Sequence, residues 1–263
     1  MTAKRPKLGQ HFLTSARYRR RIAESFSIEP GKLVIEIGPG DGAMTDLLAE
    51  RAGRVVAVEL DSGLAASLAL KFAGIANVEV MRADILETDV GEICRLHQTA
   101  AAYVFGNLPY YITSPILHRL LESPERIRAM ACVVQLEVAE RITAHPGTRD
   151  YGYLSVLAQL HAVPQIRFRI PPGAFSPPPA VVSALVVFDM LTKRPVADDS
   201  RRAFLDFAKQ SFAQKRKTLA NNLASRYGAD RVRDELRVLE IKENARAEEL
   251  GVTELARLFD KLI

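Results

Sequence analysis

Between residues 32 and 135, short β-branched or apolar runs alternate with stretches of helical periodicity, and this alternation constrains the fold most. Runs at 32–37, 55–59, 78–81, 100–105 and 129–135 read as five strands, with helical patterns over 43–51, 62–72 and 114–121. Strands and helices alternating at this spacing predict an α/β fold with a parallel, doubly wound sheet of Rossmann-like type. Later runs at 164–169 and 181–188, joined by the proline-rich stretch 171–179, predict an antiparallel edge on that sheet. After Gln135, residues 137–143 and 151–161 read as helices, and everything beyond Ser200 is helical, with breaks near Gly228, Asn244 and Gly251. The expected organisation is a basic arm and helix over 1–30, a catalytic domain over 31–192 and a small all-helical domain over 193–263. Ser15 is placed to cap the first helix and Asp61 the helix after the second strand.

Charge divides the chain in the same way. Residues 1–30 carry seven Lys/Arg against two acids, 31–192 thirteen against seventeen, and 193–263 sixteen against twelve. An acidic middle between two basic ends suits a polyanionic partner gripped at both margins. Candidate phosphate contacts are Arg20 and Arg21, within the run Arg17 to Arg21, and Lys215, Arg216 and Lys217, expected at the opening of a helix. No apolar run is long enough to span a bilayer, and the basic N-terminus lacks the apolar core of a signal peptide. Cys94 and Cys132, each beside apolar residues, are expected as reduced core thiols of a cytoplasmic protein.

Three strand ends carry chemistry. Glu36-Ile37-Gly38-Pro39-Gly40-Asp41-Gly42 links a strand to a helix, and its glycines admit a ligand to the backbone. The third glycine comes one residue too early for a dinucleotide fingerprint, and acids flank the turn, which suits a ligand bearing an amino group. Glu59, 21 residues after Gly38, stands where a carboxylate accepts from ribose hydroxyls, and Asp84 can accept from an adenine amine. Gly38, Gly40, Glu59 and Asp84, in this order, describe a site for S-adenosyl-L-methionine. The fourth strand ends in Gly106-Asn107-Leu108-Pro109-Tyr110. The Asn107 side-chain oxygen and the Leu108 carbonyl, held by Pro109, can accept both hydrogens of an exocyclic amine. Accepting them localises the nitrogen lone pair, while Tyr110 stacks on the ring for ~1–3 kcal/mol. Displacement at a sulfonium methyl needs alignment more than a strong base, and no metal is expected.

In order along the chain, Gly9-Gln10-His11-Phe12-Leu13, the glycine loop, Val58-Glu59, Asp84 and residues 106–113 resemble the ribosomal RNA adenine dimethyltransferases of the KsgA type. So do residues 175–179, Lys215-Arg216-Lys217-Thr218-Leu219 with Asn221-Asn222-Leu223, and Arg246-Ala247-Glu248-Glu249-Leu250, so that the likeness covers nearly the whole chain. The resemblance implies N6,N6-dimethylation of two adjacent adenosines near the 3′ end of 16S ribosomal RNA, within a late small-subunit assembly particle and by a monomer. It also implies that His11, Leu13 and Asn107 line the cofactor site and that Phe175 faces the target base opposite Tyr110. Ala180 and Val182 depart from the family by standing where basic and acidic residues are expected, and Tyr111 stands where some relatives carry Asn. The rival readings are an erythromycin-resistance methyltransferase acting on the large subunit, an assembly or transcription factor without turnover, and a DNA adenine methyltransferase.

Overall fold

The computed structural model describes residues 11–263, so the arm residues Lys4, Arg5, Lys7, Gly9 and Gln10 lie outside the described residues. The elements run β1 (Phe12–Leu13), α1 (Ala16–Ser25), β2 (Leu33–Ile37), α2 (Ala43–Ala49), β3 (Arg54–Glu59), α3 (Ser62–Lys71) and β4 (Val78–Arg82). They continue through α4 (Val90–Leu96), β5 (Ala102–Asn107), α5 (Thr113–Leu120), β6 (Ile127–Gln135), α6 (Leu136–Thr143), α7 (Tyr153–His161) and β7 (Ala162–Ile170). The last are β8 (Phe175–Ser176), β9 (Ser183–Met190), α8 (Arg201–Ser211), α9 (Leu219–Tyr227), α10 (Ala229–Val238) and α11 (Val252–Leu262).

A seven-stranded sheet has the order β4-β3-β2-β5-β6-β9-β7. The five strands β2 to β6 pair in parallel, and β9 runs antiparallel to β6, with Gln135 opposite Ser183. The expected edge is therefore present. β2 pairs with β3 on one side and β5 on the other, so the chain reverses its direction of progress across the sheet between them. Such a switch point opens a crevice at the C-terminal strand ends, where the glycine loop and the Asn107 loop both emerge. All five residues of β2 are buried, consistent with a parallel strand covered on both faces.

Two local details differ from the sequence reading. Ser15 precedes α1 in extended conformation but makes no side-chain cap; its N–H donates to the Ala174 carbonyl at 3.1 Å. Helix α4, absent from the sequence reading, is capped by Asp89, whose carboxylate accepts from the Gly91 N–H at 2.8 Å. The Asp61 cap is as expected, accepting from Gly63 N and Leu64 N at 2.8 and 3.0 Å.

The chain forms two compact units, one comprising Met1–Ala139 with Pro164–Met190 and the other Glu140–Val163 with Leu191–Ile263. The second unit therefore includes residues 140–163, which lie within the 31–192 expected for the catalytic domain. The physical reason lies in α7, where Val156 and Leu160, with the nearby Tyr151, are buried with Phe204, Phe207, Leu223 and Phe259. A helical periodicity shows that a face is buried, but not what buries it.

Candidate functional site

The first unit contains a cavity at the C-terminal strand ends, lined by residues from β2, β3, β5, the arm and the loop after β4. Gly38 and Gly40 adopt φ of 63° and 60°, which glycine adopts without strain. A Cβ on Gly38 would meet nothing within 4 Å and would stand in the open cavity, whereas one on Gly40 would sit 2.7 Å from the Phe12 ring. The loop thus exposes bare backbone on one side and receives an aromatic ring on the other.

Glu59, at the end of β3, is 3% exposed and is freed from capping duty by Asp61. Its Oε2 accepts from Gly40 N at 3.3 Å and its Oε1 from Asp61 N at 2.9 Å. Burial raises its pKa above the usual carboxylate range, and those amides oppose the shift. A carboxylate has about four acceptor sites, so Glu59 can hold the loop and still accept from a ligand hydroxyl. Asp84 also lines the cavity, and its Oδ1 accepts from Leu86 N at 2.9 Å. Leu60 and Ile85, each following one of these acids, add apolar walls that the sequence reading missed. The one local signal was their position directly after an acid at a strand end.

Across the cavity, the Leu108 N–H donates to the Val133 carbonyl at 3.0 Å. The Pro109 carbonyl accepts from Ile112 N at 3.2 Å and from Thr113 Oγ1 at 3.1 Å, closing a 3₁₀ turn over Tyr110–Ile112. The Asn107 Nδ2 donates to the His11 carbonyl at 2.8 Å, which leaves its Oδ1 as the amide group free to accept. The His11 ring stacks with Tyr110 at 5.5 Å between centroids and 26° between planes, and its Nδ1 lies 2.7 Å from the Pro177 carbonyl. Tyr110 Oη and Ser183 Oγ share a hydrogen bond of 2.5 Å, and Ser183 is fully buried at the start of β9. Ser183 is a further contributor that no local sequence signal marks.

Not every expected residue reaches the cavity. His11, Gly38, Gly40, Glu59, Asp84, Asn107, Leu108, Pro109 and Tyr110 line it; Leu13 and Phe175 do not. Leu13 and Phe175 face each other in the β1–β8 pair, 6% and 4% exposed within the sheet core. Successive residues of a strand point to opposite faces, so Phe12 takes the cavity side and Leu13 the core. Their pairing fastens the arm to β8.

The basic candidates separate as well. Lys215, Arg216 and Lys217 are exposed in the turn before α9, ahead of its Thr218 cap, and do not open the helix as expected. Lys215 donates to the Arg149 carbonyl and lies 3.9 Å from Glu248, so it also ties local structure together. Arg20 lines a cleft beside α1, while the Arg21 guanidinium lies 4.0 Å from the Phe168 ring centroid.

A doubly wound sheet whose switch-point cavity is lined by a glycine loop, a buried acid at the next strand end and an amide across from them is the architecture of the S-adenosyl-L-methionine-dependent methyltransferases. The model of one family, described as ribosomal RNA adenine dimethylase, matches residues 1–263. The chain is 42% identical over 270 residues to the ribosomal RNA small subunit methyltransferase A of Koribacter versatilis, covering 99% of this chain and 95% of that protein. It is 43% identical over 259 residues to the enzyme of the same name from Acidobacterium capsulatum, covering 98% and 91%. Among solved structures, the 23S rRNA methyltransferase ErmE superposes with a TM-score of 0.73 at 28% identity, covering 95% of this chain and 99% of that one. A dimethyladenosine transferase from Plasmodium falciparum shares the fold at 22% identity, with a TM-score of 0.77 and coverage of 94% and 96%. The chain belongs to the ribosomal RNA adenine dimethylase family.

Proposed function

We propose that this protein transfers methyl groups to the N6 nitrogens of two adjacent adenosines near the 3′ end of 16S ribosomal RNA, two to each. The acceptor is RNA within the small subunit or its late assembly intermediate, and the protein acts as a monomer in the cytoplasm. The observation that carries the reading is the Asn107 amide, held by the His11 carbonyl so that Oδ1 is available on the cavity that Glu59 and Asp84 also line.

S-adenosyl-L-methionine, when bound, supplies an electrophilic methyl on a sulfonium. Gly38 and Gly40 offer backbone to it, Glu59 accepts from its ribose and Asp84 from its adenine. The target adenine, extruded from its stack at a cost of a few kcal/mol, enters over the Asn107 loop. Asn107 Oδ1 and the Leu108 carbonyl accept its two amine hydrogens and localise the nitrogen lone pair. Tyr110 stacks on the ring and aligns the nitrogen for attack, and because the nitrogen becomes strongly acidic once it carries the new methyl, its proton passes to water without a strong base. Arg216 and Lys217 supply phosphate contacts from the helical unit.

Two names among the most similar relatives favour the small subunit, whereas the likeness to ErmE favours a large-subunit adenosine. Incubation with unmethylated small subunits, separated large subunits and labelled cofactor, followed by mapping of the methylated nucleotides, tests both. Label in two adjacent small-subunit adenosines is expected. Label confined to the large subunit, with macrolide resistance on expression, would overturn the assignment.

A further inference from the structure

We propose that Arg19 and Arg20 form a phosphate-binding site for the RNA backbone in the cleft between α1 and α2, and that Arg21 of the same run is a structural clamp. The proposal deepens the substrate reading above and rests on it.

Helix α1 carries Arg17, Arg19, Arg20 and Arg21 within little more than one turn. Like charges at three- and four-residue spacing, as in Arg17 with Arg20 and Arg21, destabilise a helix. No ion pair relieves them among the described residues. Glu24 is the helix's only acid, and among the described residues no carboxylate forms an ion pair with any of the four arginines. The ten residues preceding His11 add Lys4, Arg5 and Lys7 and no acid. A local electrostatic cost with no compensation within the fold is expected where a ligand supplies the opposite charge.

The cleft gives that charge a place. Arg19 and Arg20 line it with Asp41, Asp46 and Lys71. The other three charges are already engaged. Asp41 Oδ1 accepts from Ala43 N at 3.0 Å, and Asp46 pairs with Lys71 at 2.8 Å. Lys71 Nζ also donates to the Asp41 and Gly42 carbonyls at 3.2 Å each. Two guanidinium groups remain, and planar forks of this kind match phosphate oxygens. Gly40 lines the methyl-donor cavity and Asp41, the next residue, lines the cleft, so the glycine loop separates the two. A phosphate on Arg19 and Arg20 would anchor the strand close to the adenosine being methylated.

Arg21 has a different occupation. Its guanidinium lies over the Phe168 ring, whose centroid is also 6.3 Å from that of Tyr18, so this arginine docks α1 onto β7. The ring quadrupole attracts the guanidinium there.

The test is a salt titration of binding to unmethylated small subunits, with affinity for S-adenosylhomocysteine and the thermal midpoint measured alongside. Each phosphate contact adds ~0.7–0.9 to the slope of log K against log salt. The Arg19→Gln/Arg20→Gln double variant is expected to lower that slope by about one to two units while cofactor affinity stays at the parent value. Arg19→Lys/Arg20→Lys is expected to keep most of the slope, which separates lost charge from lost folding. Arg21→Gln is expected to keep the slope and lower the midpoint. An unchanged slope in the double glutamine variant, or an equal fall in Arg21→Gln, would overturn the assignment. Failure of the parent to bind or methylate small subunits would instead overturn the substrate reading.

Discussion

Asn107 is held by a bond to backbone, and that bond decides which end of its amide is left to accept. Because Nδ2 donates to the His11 carbonyl, that end is Oδ1, the acceptor on which the proposed mechanism rests. Asn107→Ala is expected to reduce methylation of small subunits by at least a hundredfold, about 2.7 kcal/mol or more of transition-state stabilisation. Calorimetry should show S-adenosylhomocysteine binding changed by less than tenfold; near-normal turnover would sink the mechanism. Glu59→Ala should act the other way. It removes two backbone bonds and the proposed ribose acceptor, so cofactor affinity should fall about tenfold or more, given ~1.5–3 kcal/mol per charge-assisted bond. Ser183 works through Tyr110. Ser183→Ala is expected to raise KM for the RNA substrate several-fold while cofactor affinity stays unchanged. The substitution should have no further effect in a Tyr110→Phe background, and additive losses in that double variant would refute the coupling.

At the scale of elements, the arm is the part whose position matters most and which is least regular. β1 is two residues long, yet its pairing with β8 sets Phe12 against Gly40 and places the His11 carbonyl on Asn107. The capping pattern shows what local chemistry can reveal. Asp61 follows a strand end and precedes an apolar periodic stretch, which identifies it rather than Glu59 as the cap. Asp61→Ala is expected to cost about 0.5–2 kcal/mol in urea unfolding, with cofactor affinity weakened only so far as the Asp61 N–H to Glu59 bond is disturbed. Ser15 misled for a related reason. Its surroundings offered its backbone a tertiary partner, Ala174, and no local rule anticipates a partner 159 residues away.

For the molecule as a whole, two buried titratable groups give the two units opposite responses to pH. In the sheet unit, Glu36 is 2% exposed beneath the glycine loop and accepts from Thr45 Oγ1 at 2.6 Å. Burial pushes its pKa from 4.5 up to about 8. Between those values the native state keeps a proton that the unfolded chain has released, so this contribution to stability is lost as pH rises through the window. In the helical unit, burial, reinforced by Arg201 and Arg194, pushes His161 from 6.5 down to about 3. There the unfolded chain takes up a proton that the native state refuses, and stability falls as pH drops between those values. Calorimetric melts should therefore show Glu36→Gln gaining on the parent above neutrality and His161→Phe gaining in acid. Parallel melting curves across pH would contradict both.

Local pattern was enough for the doubly wound sheet and for the strand-end glycines, acids and amide that line the cavity, because strand periodicity, strand-end glycines and caps are set by neighbours within a few residues. Packing settled the rest. It turned Leu13 and Phe175 into the core and Phe12 into the cavity, brought Ser183 under Tyr110, gave residues 140–163 to the helical unit, and separated Arg21 from Arg19 and Arg20. Each of those outcomes depends on a partner far away in the chain, and which face of a short strand or helix meets that partner is fixed by packing rather than by local propensity.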